Sequence, residues 1–176
     1  MRILLAGGSK SGKTSLAQDI AIKLSNGGPR YYWATMEPTD REDDDRIERH
    51  IADRAGLGFV TVERGRALLS GELPPDDAAV LFDSVTALLA NEMFGAGFDP
   101  DAPERALNEL LALSEKCADF VCVADEVFRD GAVYDETTET YRRGLAAILR
   151  GLAESFDTVA EVACGIPKLY KGGLPE

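Results

Sequence analysis

The stretch Gly7-Gly8-Ser9-Lys10-Ser11-Gly12-Lys13-Thr14, called the phosphate loop below, decides the fold of this chain. It matches the pattern G-x-x-x-x-G-K-[ST], which chance would place in a chain of this length with odds of about 1 in 100–200. The apolar run Arg2–Ala6 before it predicts a β-strand. The segment Ser11–Leu24 has apolar residues at helical spacing, which predicts a helix after the loop. Glycines let backbone N–H groups face an anion, and the start of a helix adds about half a positive charge. The pattern predicts a nucleoside triphosphate site, and the plainer alternative is a glycine-rich turn with an incidental lysine.

Side chains that would help to hold a nucleotide lie in the loop and at the ends of two later strands. Lys13 can reach the β- and γ-phosphates, and Thr14 offers a hydroxyl to Mg²⁺. Such sites take a second Mg²⁺ ligand from an Asp that ends another buried strand, and Asp83 follows an apolar run. Asp83 could also cap the helix that follows it. Glu63 ends a further strand and is either a site residue or an exposed strand-end carboxylate.

Apolar runs alternate with helical patterns along the whole chain, which is typical of βαβ units and a parallel sheet. The segment Asn26–Pro29 predicts the end of the helix that follows the phosphate loop. The segment Gly165–Pro167 is predicted to turn away from the last strand. Further strands are predicted at Arg30–Ala34, Phe59–Glu63, Ala78–Asp83, Asp119–Ala124 and Thr158–Cys164, and further helices at Ser84–Met93, Pro103–Ala118 and Glu136–Glu154.

Composition excludes several classes of protein. The chain has 176 residues, of which 45 % are hydrophobic, and this length predicts one globular domain over residues 1–176. With the alternation of strands and helices described above, that domain is predicted to be α/β. A net charge of −12 argues against a protein that binds nucleic-acid backbones. No apolar run is long enough to span a membrane and no signal peptide is visible, so we expect a cytoplasmic protein. Cys117, Cys122 and Cys164 have no CxxC spacing, which predicts reduced structural thiols and no zinc site.

His50 is the only histidine and lies in the charged segment Arg41–Arg54. On a helix, Arg46, His50 and Arg54 would share one face. That arrangement would suit a neutral imidazole acting as a nucleophile, or arginines that hold a phosphate in transfer. Spacing alone favours the other interpretation, a solvated helix with a stray surface histidine.

Seven blocks of sequence, taken together, are more specific than any one motif. They are Gly7–Thr14, Tyr32–Thr35, Asp45–His50 with Arg54, Thr61–Glu63, Leu81–Thr86 with Asn91, Glu126-Val127 and Gly165–Pro167. In these blocks the chain resembles the bifunctional adenosylcobinamide kinase/adenosylcobinamide-phosphate guanylyltransferases of cobalamin biosynthesis, in family order over almost its full length. The phosphate loop alone is generic, whereas Arg-Ile-x-x-His between Ala-Thr and Thr-Val-Glu is far more specific.

The resemblance implies a RecA-like P-loop sheet and a homo-oligomer, with a trimer as the expected form. It implies two reactions: phosphorylation of the aminopropanol hydroxyl of adenosylcobinamide, and transfer of GMP from GTP to the resulting phosphate through a GMP–histidine on His50. Covalent catalysis of this kind divides one difficult displacement into two easier ones. GTP, or ATP for the kinase step, and Mg²⁺ are the implied nucleotides and metal.

Residue by residue, the resemblance implies a nucleotide site with Lys13 and His50 as its catalytic residues. Thr14 and Asp83 are expected to support Mg²⁺, and Glu126 is expected on the corrinoid side. The implied nucleotide-binding residues are Gly7, Gly8, Ser9, Lys10, Ser11, Gly12, Lys13, Thr14, Ala34, Thr35, Met36, Ile51, Ala52, Asp53, Arg54, Glu63 and Asp83.

The chain departs from the family pattern at a few positions. The family commonly has Asn-Glu-Val-Gly where this chain has Asp125-Glu126-Val127-Phe128, a polar residue where Ile51 stands, and Trp where Phe59 stands.

Two alternative functions are a small-molecule kinase in which His50 is idle and a P-loop ATPase that acts as a switch.

Overall fold

The computed structural model describes residues 1–38, 47–48 and 50–175. Within them, seven strands form one sheet in the order β3-β2-β4-β5-β1-β6-β7. The β6–β7 pair is antiparallel, and the other pairings of this described sheet are parallel. The strands are β1 Arg2–Gly7, β2 Arg30–Ala34, β3 Val60–Glu63, β4 Ala79–Asp83, β5 Asp119–Asp125, β6 Thr158–Ala163 and β7 Ile166–Lys171.

Four helices cover the two faces of the sheet, and residues 50–53 form a further helical turn. The hydroxyl of Ser84 caps one helix by accepting a hydrogen bond from Ala87 N, and the carboxylate of Asp135 caps another by accepting from Thr138 N. None of the helices in the described part of the chain has the length and apolarity needed to cross a bilayer. The helices are α1 Lys13–Ser25, α2 Val85–Phe94, α3 Ala102–Glu115 and α4 Glu136–Ser155.

The core has two layers because successive side chains of a strand point to opposite faces. Ile3 and Leu5 of β1 pack with α1 on one face, whereas Leu4 joins the cluster formed with α2, α3 and α4 on the other. Parallel strands covered on both faces read as continuous apolar runs, which is why β1, β4 and β5 were evident from sequence.

The predicted strands β1 to β6 begin and end within one residue of the observed bounds. Helix α3 ends earlier than the predicted Ala118, because Ala118 N already donates to Ala78 O and joins the sheet. The prediction that the chain turns away after Cys164 is wrong: Cys164 and Gly165 form a turn with positive φ, and β7 pairs back onto β6. Cys164 is consequently exposed rather than packed, while Cys117 and Cys122 are buried free thiols.

The topology gathers polar side chains at one edge of the sheet. The parallel strands β1, β2, β3, β4 and β5 all end at this edge. Their last residues are Gly7, Ala34, Glu63, Asp83 and Asp125. In open α/β sheets this edge is where ligands bind.

Candidate nucleotide-binding site

The phosphate loop connects β1 to α1 with a backbone that needs glycine at two points. A Cβ on Gly7 would lie 2.5 Å from Val162 O, and Gly12 has a φ of +88°. The loop is closed by a hydrogen bond from Ser11 N to Gly8 O (3.2 Å) and supported from outside by Gly165 N, which donates to Ser11 O (2.7 Å). The β6–β7 turn therefore braces the loop.

Lys13 begins α1 and reaches back over the loop. Its Nζ donates to Gly8 O at 3.2 Å and lies 2.6 Å from Asp125 Oδ1 at the end of β5. The Lys13 side chain is only 9 % exposed, so its charge is almost entirely enclosed by these two partners and the loop. An ammonium in this position is the group expected to meet the terminal phosphates of a nucleotide.

Asp83, at the end of β4, is the centre of the polar cluster. Its Oδ2 accepts hydrogen bonds from Tyr32 Oη at 2.7 Å and Thr14 Oγ1 at 3.3 Å. His50 Nδ1 lies 4.0 Å from the same oxygen. Thr14 and Asp83 bring together a hydroxyl and a carboxylate oxygen, the ligand types that Mg²⁺ prefers.

These two residues fit a magnesium ion that is completed by phosphate oxygens and water. Mg²⁺ is commonly held by one or two protein groups plus substrate phosphates rather than by an all-protein cage. Among the described residues, no group of three or more His, Cys, Asp or Glu is placed to hold a metal ion.

His50 lies between two cavities and lines both of them. Its side chain is partly buried, with 28 % of it exposed to solvent. Arg54 lies close by, stacked 4.3 Å above the ring of Tyr32 and donating from Nε to Thr61 Oγ1 at 3.3 Å. Arg46, the other arginine of the predicted face, lies outside the described residues.

The first cavity, the loop cavity, has a volume of about 480 Å³ and polar walls. It is lined by Ser9, Lys10, Ser11, Gly12, Lys13, Thr14, Ser15, Gln18, His50 and Asp53. The second cavity, the strand-end cavity, has a volume of about 260 Å³ and mixes aromatic, apolar and acidic side chains. It is lined by Tyr32, Ala34, Met36, Pro38, Ile47, His50, Arg54, Glu63, Asp83, Ser84 and Ala87.

Most of the predicted site residues thus surround these two spaces, and a few do not. Thr35 is fully buried, and its hydroxyl accepts from Ser84 N at 2.7 Å and donates to Ser84 O at 2.9 Å. It braces β2 against the end of β4. Ile51 and Ala52 are exposed and line neither cavity. One carboxylate oxygen of Glu126 accepts a hydrogen bond from Phe128 N at 2.8 Å.

Sequence reasoning missed Tyr32 as an Asp83 partner and Asp125 as the Lys13 partner. Tyr32 looked like an ordinary strand residue, and its hydroxyl becomes relevant only because β2 and β4 are neighbours. Asp125 carried a usable signal, since it ends an apolar strand as Asp83 does, but which strand adjoins β1 is not evident from the sequence.

A phosphate loop between β1 and α1, its lysine, and an acid at the end of β4 define a P-loop nucleotide-binding protein. Solved structures agree on the fold. The flagellar accessory protein FlaH from Methanocaldococcus jannaschii matches with a TM-score of 0.52 at 14 % identity, covering 98 % of this chain and 78 % of that one. A protein of Pyrococcus horikoshii OT3 matches with a TM-score of 0.54 at 11 % identity (97 % and 86 % covered). A solved ATPase domain matches with a TM-score of 0.51 at 13 % identity (91 % and 68 % covered).

The family is given by a sequence model rather than by these distant structures. The model described as cobinamide kinase / cobinamide phosphate guanyltransferase matches residues 3–169, and the chain belongs to this family. It is accordingly an enzyme of cobalamin biosynthesis with the family's two activities. Among curated proteins, none matches the chain.

Proposed function

We propose that the phosphate loop, Asp83 and His50 form one site that carries out both family reactions in turn. The observation that supports this most directly is that His50 lines the loop cavity and the strand-end cavity alike. A nucleotide with its phosphates in the first cavity and its nucleoside in the second would pass beside the imidazole.

In the kinase step, the aminopropanol hydroxyl of adenosylcobinamide attacks the γ-phosphorus of the nucleotide. The bond from the γ-phosphorus to the β-phosphate oxygen breaks, the proton of the hydroxyl passes to water, and a nucleoside diphosphate leaves. Lys13 draws negative charge from the terminal phosphates, as expected for a P-loop lysine. Catalysis of this type rests on positioning and electrostatic stabilisation rather than on covalent chemistry.

In the guanylyl step, a ring nitrogen of His50 attacks the α-phosphorus of GTP and pyrophosphate leaves. A phosphate oxygen of adenosylcobinamide phosphate then attacks the same phosphorus, the P–N bond breaks, and adenosyl-GDP-cobinamide is released. Nδ1 is the ring nitrogen recorded near Asp83. We therefore assign the attack to Nε2, with Asp83 helping to orient the ring and to stabilise it as positive charge develops.

Other residues around the two cavities would contact the base, the nucleoside and the metal. The carboxylate of Glu63 is suited to accept hydrogen bonds from N1–H and the 2-amino group of guanine, which adenine does not offer. Ala34, Met36 and the ring of Tyr32 would contact the nucleoside. Thr14 and Asp83 would hold Mg²⁺, which, when bound, neutralises phosphate charge.

Incubation with GTP labelled at the α-phosphate tests the guanylyl step. We expect label that stays on the protein, is lost in acid and is stable in alkali. His50→Ala should lose this label while still phosphorylating adenosylcobinamide, whereas Lys13→Ala should lose both activities. Phosphorylation without any label would favour a plain kinase, and hydrolysis without either product would favour the ATPase switch.

We also propose that residues 1–176 act as one domain, in the cytoplasm, on small-molecule substrates. A homo-oligomer is part of this proposal, with a trimer as the expected state. Sedimentation equilibrium of the purified chain tests it, and a single species of about 19 kDa would contradict it.

A further inference from the structure

The ion pair between Lys13 and Asp125 joins the phosphate loop to the end of β5. Lys13 Nζ is 2.6 Å from Asp125 Oδ1, and that oxygen has almost no exposure to solvent. The backbone of Asp125 is also fixed in place: β5 pairs with β1 so that Asp125 lies opposite Gly7, and Asp125 N donates to Thr86 Oγ1 at 2.8 Å. A carboxylate is thus held against the cation that a P-loop offers to phosphates.

A nucleotide and Asp125 would compete for the same charge. Lys13 has one ammonium, and its side chain is 9 % exposed, so it can turn little toward solvent. The β- and γ-phosphates bring further negative charge to the same enclosed space, where like charges repel more strongly than in bulk water. Without a nucleotide, removal of the carboxylate would leave Lys13 almost buried with Gly8 O as its recorded acceptor.

We propose that Asp125 is the resting counter-ion of Lys13 and that the terminal phosphates of the nucleotide displace it. This inference rests on the proposed function, in that it takes the phosphate loop to be the triphosphate site. Asp125 keeps the empty loop close to neutral and weakens the hold on nucleotides that engage Lys13. It thereby favours release of the nucleoside diphosphate that the kinase step leaves behind.

The number of phosphates on the ligand separates this role from a merely structural one. GDP and GTP carry phosphates that reach Lys13, whereas the single phosphate of GMP does not extend that far when its nucleoside occupies the same place. Neutralising Asp125 should therefore strengthen the binding of GDP and GTP and leave the binding of GMP nearly unchanged. A general loss or gain of structure would affect all three ligands alike.

Asp125→Asn is the test variant, because the amide has nearly the same shape as the carboxylate but no charge. Asp119→Asn is the matched control: Asp119 begins the same strand, is similarly exposed (20 % against 22 %), and forms an equally short 2.6 Å ion pair, with the N-terminus. Both substitutions change the net charge by the same amount. The control therefore separates a local effect from a global one.

Dissociation constants for GMP, GDP and a non-hydrolysable GTP analogue are measured by calorimetry with Mg²⁺ present. We expect Asp125→Asn to bind GDP and the analogue about tenfold more tightly, equivalent to about 1.4 kcal/mol, and GMP within about twofold of wild type. Asp119→Asn should stay within about twofold for all three. Unchanged or weaker GDP binding in Asp125→Asn overturns the inference, as does equal strengthening for GMP.

A second variant and two measurements on the wild-type chain make every result count for or against the inference. If Asp125→Asn does not fold, Asp125→Ser removes the same charge with a smaller side chain and must show the same order of ligands. If the wild-type chain binds none of the three nucleotides, the proposed function fails. If it binds GTP and labels His50 but Asp125→Asn behaves as wild type, only the counter-ion inference fails.

Discussion

Replacing Tyr32 by Phe removes one hydroxyl and leaves the ring under Arg54 in place. That hydroxyl donates to Asp83 Oδ2 at 2.7 Å, and the two side chains are largely enclosed, since Tyr32 is 3 % exposed and the Asp83 side chain 13 %. A hydrogen bond to a charged group contributes about 1.5–3 kcal/mol to stability, more than one between neutral groups. We therefore expect Tyr32→Phe to lower the free energy of unfolding by about 1.5–3 kcal/mol.

For a domain of this size, each kcal/mol corresponds to about 2–4 °C in the midpoint of thermal unfolding, so the expected fall is about 3–12 °C. Calorimetry or circular dichroism measures it directly. Tyr31→Phe is the control: it lies on the opposite face of β2, against the other core layer, and should change stability by less than about 0.5 kcal/mol.

The charge of Asp83 can be tested separately by a double-mutant cycle. In the Asp83→Asn background, Tyr32→Phe removes a bond between neutral groups and should cost only about 0.5–1.5 kcal/mol. The coupling energy between the two positions should then be about 1 kcal/mol. Equal unfolding midpoints for Tyr32→Phe and Tyr31→Phe, or a cost that does not change with Asp83→Asn, would refute the reasoning.

Two predictions concern the core and the thiols. Phe82→Ala removes a fully buried ring that packs against neighbouring aromatics, and it should lower the free energy of unfolding in urea by about 3–5 kcal/mol. Phe98→Ala removes a half-exposed ring and should lower it by less than about 1 kcal/mol. Similar losses for the two variants would contradict the assignment of the core. The thiolate is the reactive form of cysteine. Burial raises the pKa of Cys117 to about 11 and raises the pKa of Cys122 as well. At about pH 8 both thiols therefore remain protonated and covered. A thiol-specific reagent should modify the exposed Cys164 first and all three only after unfolding, and equally fast modification of Cys117 in the native chain would show the burial to be wrong.

Much of the fold could be predicted because its signals are local. The phosphate loop carries its own glycines, and β1, β4 and β5 are short apolar runs that a doubly covered parallel sheet requires. The last strand was missed for a local reason too. β7 is an edge strand with mostly exposed side chains, so it lacks the apolar run that revealed the inner strands.

The candidate site was predictable residue by residue but not as an arrangement. Asp83 and Glu63 could be predicted as site residues because each ends a strand, which is a property of one segment of sequence. Thr35 was expected at the nucleotide, yet its hydroxyl is used on the backbone of Ser84, which follows β4. Such a brace depends on two strands lying side by side, and no pattern within β2 reports it.

The amino-acid sequence by itself determined that this chain is a P-loop α/β protein, and its family resemblance predicted His50 and Asp83 as site residues. Only the tertiary structure decided that Tyr32 bonds to Asp83 and that Asp125 neutralises Lys13. The physical reason is that sequence patterns report local structure, whereas these contacts join segments far apart in the chain. Periodicity and motif spacing report which face of its own element a residue occupies, whereas a 2.6 Å ion pair depends on strand order and register, which the whole core sets together.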